Sequence, residues 1–115
     1  MTTKFIKIHI PLGEVSAIGP GKADLLEAII QTGSISAAGR QMGMSYRRSW
    51  DLVDTMNRSF IEPLVVTVTG GSGGGGAQVT EFGREVLHRY REIEAKADAM
   101  LQTELAGLSR LLKQT

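Results

Sequence analysis

Two adjacent guanidinium groups, on Arg47 and Arg48, are the side chains of this sequence best suited to a definite chemistry. A guanidinium stays charged and offers a planar fork of donors, which fits a phosphate or the O6 and N7 acceptors of guanine. Ser45 and Tyr46 precede the pair, and Asp51 follows about one helical turn later. Its carboxylate can accept from a cytosine amino group or orient an arginine. At helical spacing, with Trp50 taken as buried, Tyr46, Val53, Asn57 and Phe60 fall on its side. Arg47, Arg48, Asp51 and Asp54 then fall on the opposite one. The plain reading is a solvated charged face. The sharper one puts Ser45, Tyr46, Arg47 and Arg48 in the first turn of a helix that meets base edges in a major groove.

A second feature is the glycine run at residues 70–76, GGSGGGG. Residues 71–76 satisfy G-x-G-x-x-G and follow a strand-like stretch, as a dinucleotide fingerprint would. That motif must open a helix whose N-terminus holds the pyrophosphate, whereas Ala77, Gln78, Val79 and Thr80 resume an extended pattern. No Lys-Ser or Lys-Thr closes a Walker loop either. A flexible Gly-Ser linker is a poor fit between two very short strands. Two readings stay open: a hairpin tip with no role, and a wing tip at Gly71, Ser72, Gly73 and Gly74. Without side chains, such a tip lets backbone N–H groups approach phosphates or the minor groove.

Other chemistry finds little support. The chain has no cysteine, which removes disulfides, thiolate metal sites and thiol catalysis together. His9 and His88 are far apart in sequence and read as surface residues of a strand and a helix, and no nucleophile has an evident base. No enzyme, cofactor or metal site is expected. The 115 residues suit one domain with a modest core. No run approaches the roughly 18 to 20 apolar residues of a membrane span, and no leader peptide is evident. Those features predict a cytoplasmic protein. The net charge of +1 does not itself point to nucleic acid. Between residues 34 and 80, however, four arginines (Arg40, Arg47, Arg48 and Arg58) face three carboxylates, and there is no lysine.

These groups need elements to position them. Alternation over residues 4–10, with Ile6, Ile8 and Ile10 on one face, predicts a strand that Pro11 ends, followed by a connector to Gly21. Leu25, Leu26, Ile29 and Ile30 give residues 22–32 an apolar helical stripe stopped by Gly33. Ser34 and Ser36 are both candidate N-caps of a short second helix ending near Gly43, whose left-handed conformation makes a tight turn. Ser45 caps the third helix. Helix, glycine turn and helix form a helix-turn-helix signature. Residues 64–69 and 77–80 read as the strands of a hairpin around the glycine run. Thr80 then caps a long helix over residues 81–113, with apolar positions at Val86, Tyr90, Ile93 and Ala97, then Leu101, Leu105, Leu108 and Leu112. Such a helix outruns what one small domain covers, which predicts a dimerising partner. The expected fold is mainly α with a small β wing: a winged helix-turn-helix over residues 1–80, and a C-terminal dimerisation helix over residues 81–115 packed on the same domain.

Several of these residues, taken in order, resemble the N-terminal domain of the ModE family, the molybdate-responsive transcriptional regulators with a LysR-type winged helix-turn-helix. They are Gly33-Ser34-Ile35-Ser36, Ser45-Tyr46 with Trp50-Asp51, Met56-Asn57, Leu64-Val65, and Thr69-Gly70-Gly71-x-Gly73-Gly74-Gly75-Gly76-Ala77 with Thr80. The resemblance covers residues 23–87 well. It implies a homodimer on a pseudo-palindromic DNA operator, usually repressing molybdate-uptake genes, with the third helix reading DNA and the glycine loop as the wing. Ser34, Ser36, Ser45, Tyr46, Arg47, Arg48, Asp51 and the wing tip are the implied DNA contacts. Molybdate binding in that family belongs to C-terminal domains that this sequence does not contain, so no residue here is assigned to molybdate. Two positions depart from common helix-turn-helix usage: Ser49 replaces a buried Ala or Val, and Gly39 replaces Ala. The competing function is a protein-interaction module that pairs with a full-length regulator through the last helix.

Overall fold

The computed structural model describes residues 6–69 and 76–114. Helix α1 (Pro20–Thr32) opens on a proline, where the missing N–H would have had no partner in any case. It closes at Gly33, whose φ of 72° lets its N–H return to the Ile29 carbonyl. The helix starts two residues before the position expected from its apolar stripe. Leu25, Leu26 and Ile29 are buried, while Ile30 is only partly so.

The strand expected over residues 4–10 is displaced. Residues 6–9 form no regular element, and β1 (Ile10–Leu12) pairs antiparallel with β2 (Val15–Ile18) around Gly13, which has φ of 64°. Pro11 therefore lies inside a strand instead of ending one. A two-stranded hairpin has only edge strands, where a residue without N–H is tolerated, and the register slips between Ile10 and Pro11. The expected connector contains β2 and the first turn of α1.

Helices α2 (Ile35–Gln41) and α3 (Tyr46–Ser59) pack on α1. The buried line of α3 is Ser49, Val53 and Met56, so the expected Tyr46–Trp50–Phe60 side is corrected by part of a turn. Tyr46 is 64% exposed and Trp50 is half-buried. The cause is the pair of small residues noted above. Ser49 is fully buried against Gly39, and a methyl group added at Gly39 would overlap the Ser49 hydroxyl. Ser49 Oγ donates instead to the Ser45 carbonyl at 3.0 Å. The two helices thus approach at a point where neither can carry a larger side chain.

Strands β3 (Val65–Val68) and β4 (Gly76–Val79) form the wing, in register from Val65↔Val79 to Val68↔Gly76. Helix α4 (Glu81–Ser109) follows, capped by Thr80 Oγ1 accepting from Gly83 N at 2.9 Å. It buries Gly83, Leu87, Tyr90 and Glu94, so of the expected line Val86, Tyr90, Ile93 and Ala97 only Tyr90 is fully buried. Ile93 stays 45% exposed. Polar anchors set this rotation. Tyr90 Oη donates to the Ile8 carbonyl at 2.6 Å. Arg91 donates to Glu27 at 2.7 Å, to Asp24 at 2.8 Å and to the buried Glu94 at 2.9 Å. Burial works against the Arg91 charge, but its hydrogen bonds to Asp24, Glu94 and Glu27 outweigh it and hold its pKa above the ordinary value. No described helix is long and apolar enough to cross a membrane.

Two measurements check this packing. In urea denaturation, Gly39→Ala should cost about 1–3 kcal/mol through overpacking. Adding Ser49→Ala should recover part of that loss, giving a coupling energy that independent sites would lack. Burial, reinforced by Glu94, pushes the Tyr90 phenol up to about 12. The folded state therefore disfavours the phenolate, and this contribution is complete below pH about 10 and lost as pH rises towards 12. The stability difference between wild type and Tyr90→Phe should shrink across that window, and a flat difference would contradict the assignment.

Candidate nucleic-acid interface

Ser34 is the N-cap of α2, its hydroxyl accepting from Ala37 N at 3.1 Å. Ser36, the other candidate, lies inside the helix and is half-buried. Gly43 adopts φ of 72°, and Met44 N reaches back to the Gly39 carbonyl at 2.8 Å, closing the turn. Ser45 then caps α3 by accepting from Arg48 N at 3.0 Å. The cap fixes the first turn of α3 at the surface, with Ser45, Tyr46, Arg47 and Arg48 all exposed and Asp51 exposed one turn on. Among the described residues, neither Arg47 nor Arg48 forms an ion pair. Further along the same helix, Arg58 is neutralised by Asp54 at 2.9 Å. The helix thus spends its later arginine on itself and leaves its first two without an ion pair among the described residues.

Beside this turn, Ser34, Ser36, Tyr46, Trp50, Thr67 and Thr69 border a notch of about 260 Å³ between α2, α3 and the wing. The Tyr46 and Trp50 rings meet edge to face, with centroids 6.2 Å apart. The Trp50 indole N–H is buried and has no hydrogen-bond partner among the described residues. The notch beside the two arginines thus carries the hydroxyls of Ser34, Ser36, Tyr46, Thr67 and Thr69, groups that can donate to an oxygen-rich polyanion. Gly71, Ser72, Gly73 and Gly74 lie outside the described residues. The base of their hairpin is firmly placed: Ala77 N donates to the Gly33 carbonyl at 2.9 Å, and a side chain at Gly76 would crowd that same oxygen.

The residue that ties α3 to the wing is one that the sequence placed on the buried side but gave no role. Asn57 Nδ2 donates to the Val65 carbonyl at 2.9 Å. Its Oδ1 accepts from Leu64 N at 2.8 Å and from Val65 N at 3.2 Å. A lone amide on an otherwise apolar helix side was the only signal available. Nothing in the sequence singled out Arg91.

The short glycine turn, the capped α3 and the two-stranded hairpin define the class: the chain is a winged helix-turn-helix protein. Solved structures agree on the fold. A MarR family protein from Bacillus stearothermophilus superimposes with a TM-score of 0.56 at 20% identity, covering 82% of this chain and 69% of that one. A full-length LTTR, LysG, from Corynebacterium glutamicum gives 0.52 at 24% identity, covering 78% and 30%. LysR-type is thus a loose label, since a MarR fold fits at least as well.

Sequence relatives are more specific. The chain is homologous to the ModE transcriptional regulators, whose N-terminal helix-turn-helix it matches. It is 43% identical over 86 residues to the molybdenum transport protein ModE of Azotobacter vinelandii, covering 75% of this chain and 32% of the relative. To the DNA-binding transcriptional dual regulator ModE of Escherichia coli K12 it is 37% identical over 107 residues, covering 84% and 41%. The molybdenum-pterin-binding protein MopB of Rhodobacter capsulatus is 42% identical over 86 residues. The chain thus spans about a third to two fifths of the length of these relatives. No protein-family model matches it. Of these relatives, the Escherichia coli protein is named as a DNA-binding transcriptional regulator.

Replacing Asn57 with Leu should cost about 1–3 kcal/mol, because it leaves the Leu64 and Val65 amide groups without their partner. Chemical denaturation reads this directly, and an unchanged midpoint would remove Asn57 as the link between α3 and the wing.

Proposed function

We propose that this chain is a sequence-specific DNA-binding module of a transcriptional regulator, with the first turn of α3 entering the major groove. The observation that carries the reading is the capped first turn of α3, which presents Arg47 and Arg48 exposed and without ion pairs beside the donor-lined notch. Arg47 and Arg48 pair with guanine or phosphate, Asp51 accepts from cytosine or steers an arginine, and Ser34, Ser36, Ser45 and Tyr46 contact the backbone. The glycine run at residues 71–74 is the wing tip. The target genes are those of molybdate transport or molybdenum metabolism, and the action is repression; the names of the relatives support the first of these. No residue of this chain is assigned to molybdate.

The module works as a homodimer on a pseudo-palindromic operator. Helix α4 has 29 residues, about 43 Å at 1.5 Å per residue. Its buried residues end at Glu94, while Met100 and Leu108 within it, and Leu111 and Leu112 just beyond its end at Ser109 (short of the expected residue 113), are 60–81% exposed. An apolar helix end of this kind supports a paired α4, and the same surface would serve pairing with a longer regulator.

The double substitution Arg47→Ala/Arg48→Ala should remove at least about 1–3 kcal/mol of discrimination between operator and random duplex, the worth of one bidentate base contact. It should leave the oligomeric state unchanged in sedimentation. A double variant that binds operator as wild type does would sink the recognition-helix assignment.

A further inference from the structure

Among the described residues, two buried side-chain atoms lack a hydrogen-bond partner: Trp50 Nε1 and Asp98 Oδ1. Only the first is a donor. Buried indole N–H groups ordinarily find an acceptor, so this one stands without the partner its burial calls for. Trp50 also forms part of the wall of the notch between α2, α3 and the wing. The described lining of that notch holds five hydroxyls and no carboxylate. Those of Ser36, Tyr46, Thr67 and Thr69 make no hydrogen bond among the described residues. Ser34 Oγ accepts from Ala37 N and leaves its own proton for another acceptor. An indole N–H only donates, and a charged phosphate oxygen only accepts. A base edge, by contrast, mixes donors and acceptors. The lining therefore fits a phosphate group better than a base.

We propose that this notch seats one phosphate group of the DNA backbone, whose oxygen accepts the hydrogen bond that Trp50 lacks in the free protein. The inference rests on the DNA-binding reading above and adds Trp50, Thr67 and Thr69 to the contact surface. In the free protein the N–H lies below the notch wall, so a side chain must move for the contact to form. Tyr46 can do so, because its ring is 64% exposed and leans edge-on against Trp50. Side-chain rearrangement of this kind is common when interfaces form. Trp50 stands one turn after Tyr46 on α3, while Thr67 lies in β3 and Thr69 just beyond it. A phosphate held between them fixes how deeply the first turn of α3 enters the groove. It is a positioning contact and carries no base information.

Trp50 is the only tryptophan of the chain, so its indole N–H gives a single resonance in a nitrogen–proton correlation spectrum. On adding duplex DNA, operator-like or mixed in sequence, the indole proton should move downfield and exchange more slowly with water. A signal that stays in place in the complex overturns the contact. Inorganic phosphate alone, at matched ionic strength, should leave the signal where it is. The same shift with phosphate alone would make the notch a site for a free oxyanion and overturn the DNA assignment. These spectra need no variant to fold. Trp50→Phe keeps a ring and removes the N–H, and should weaken binding to both duplexes about tenfold, the worth of one hydrogen bond to a charged oxygen. Because the lost group is uncharged, the salt dependence of binding should keep its slope. A loss confined to operator DNA overturns the proposal. Replacing single phosphates of the duplex by uncharged methylphosphonates should reveal a position that weakens wild type and leaves Trp50→Phe unaffected. If every position costs both proteins alike, the contact is wrong. Wild type that binds no duplex at all sinks the DNA-binding reading itself, whereas binding with an unmoved indole signal sinks only this contact.

Discussion

The backbone of residues 63–65 is the joint on which the arrangement depends. Asn57 from α3 brackets Leu64 and Val65 with three hydrogen bonds. From the other side, Thr80 N donates to the Leu64 carbonyl and Thr80 Oγ1 to the Pro63 carbonyl, both at 2.8 Å. Gly83 leaves room for that Leu64 carbonyl, which any side chain there would strike. Helix α3, the wing and α4 therefore meet at residues 63–65, whose backbone groups find partners in the Asn57 side chain and in the N–H and hydroxyl of Thr80. Remove this joint and the arginines of α3 lose their fixed relation to the wing.

Charge is used in two ways across the molecule. On the packed side of α4, Arg91 is matched by three carboxylates from α1 and α4, of which Glu94 is buried, so losing Arg91 would leave that buried carboxylate without its guanidinium, at a high cost. On the first turn of α3 the arginines are unmatched and exposed. Surface cations cost little in water and become useful only where an external anion replaces solvent. What marks the face is the pairing of two adjacent arginines on one capped, exposed turn, since the chain as a whole carries only +1 and Arg40, Arg84 and Arg110 also lack ion pairs among the described residues.

How much of this was legible in the sequence depended on whether a residue acts locally. The caps at Ser34, Ser45 and Thr80, the turn at Gly43 and the stop at Gly33 are local chemistry, and the structure places each as read. The N-terminal hairpin was misread because Pro11 normally ends a strand, and only the pairing with β2 makes it acceptable. The buried faces of α3 and α4 were each displaced by part of a turn. In α3 the Gly39–Ser49 contact sets the rotation, and in α4 the anchors at Tyr90 and Arg91 do. Those partners lie up to 82 residues away, beyond the reach of periodicity. Asn57 could be placed on a face, but its bracket on β3 could not be foreseen. The arginine pair was identified by type and position alone, since an exposed helix start needs no distant partner.

The central claim is that the free arginines of α3, presented by a dimer, read a two-fold-related DNA site. Selection of bound duplexes from a random pool tests it most directly. The account predicts an enriched inverted repeat whose half-sites are separated by about one helical turn, or a whole multiple of it. A pool that shows no enrichment, or a single site without repeat symmetry, would contradict it.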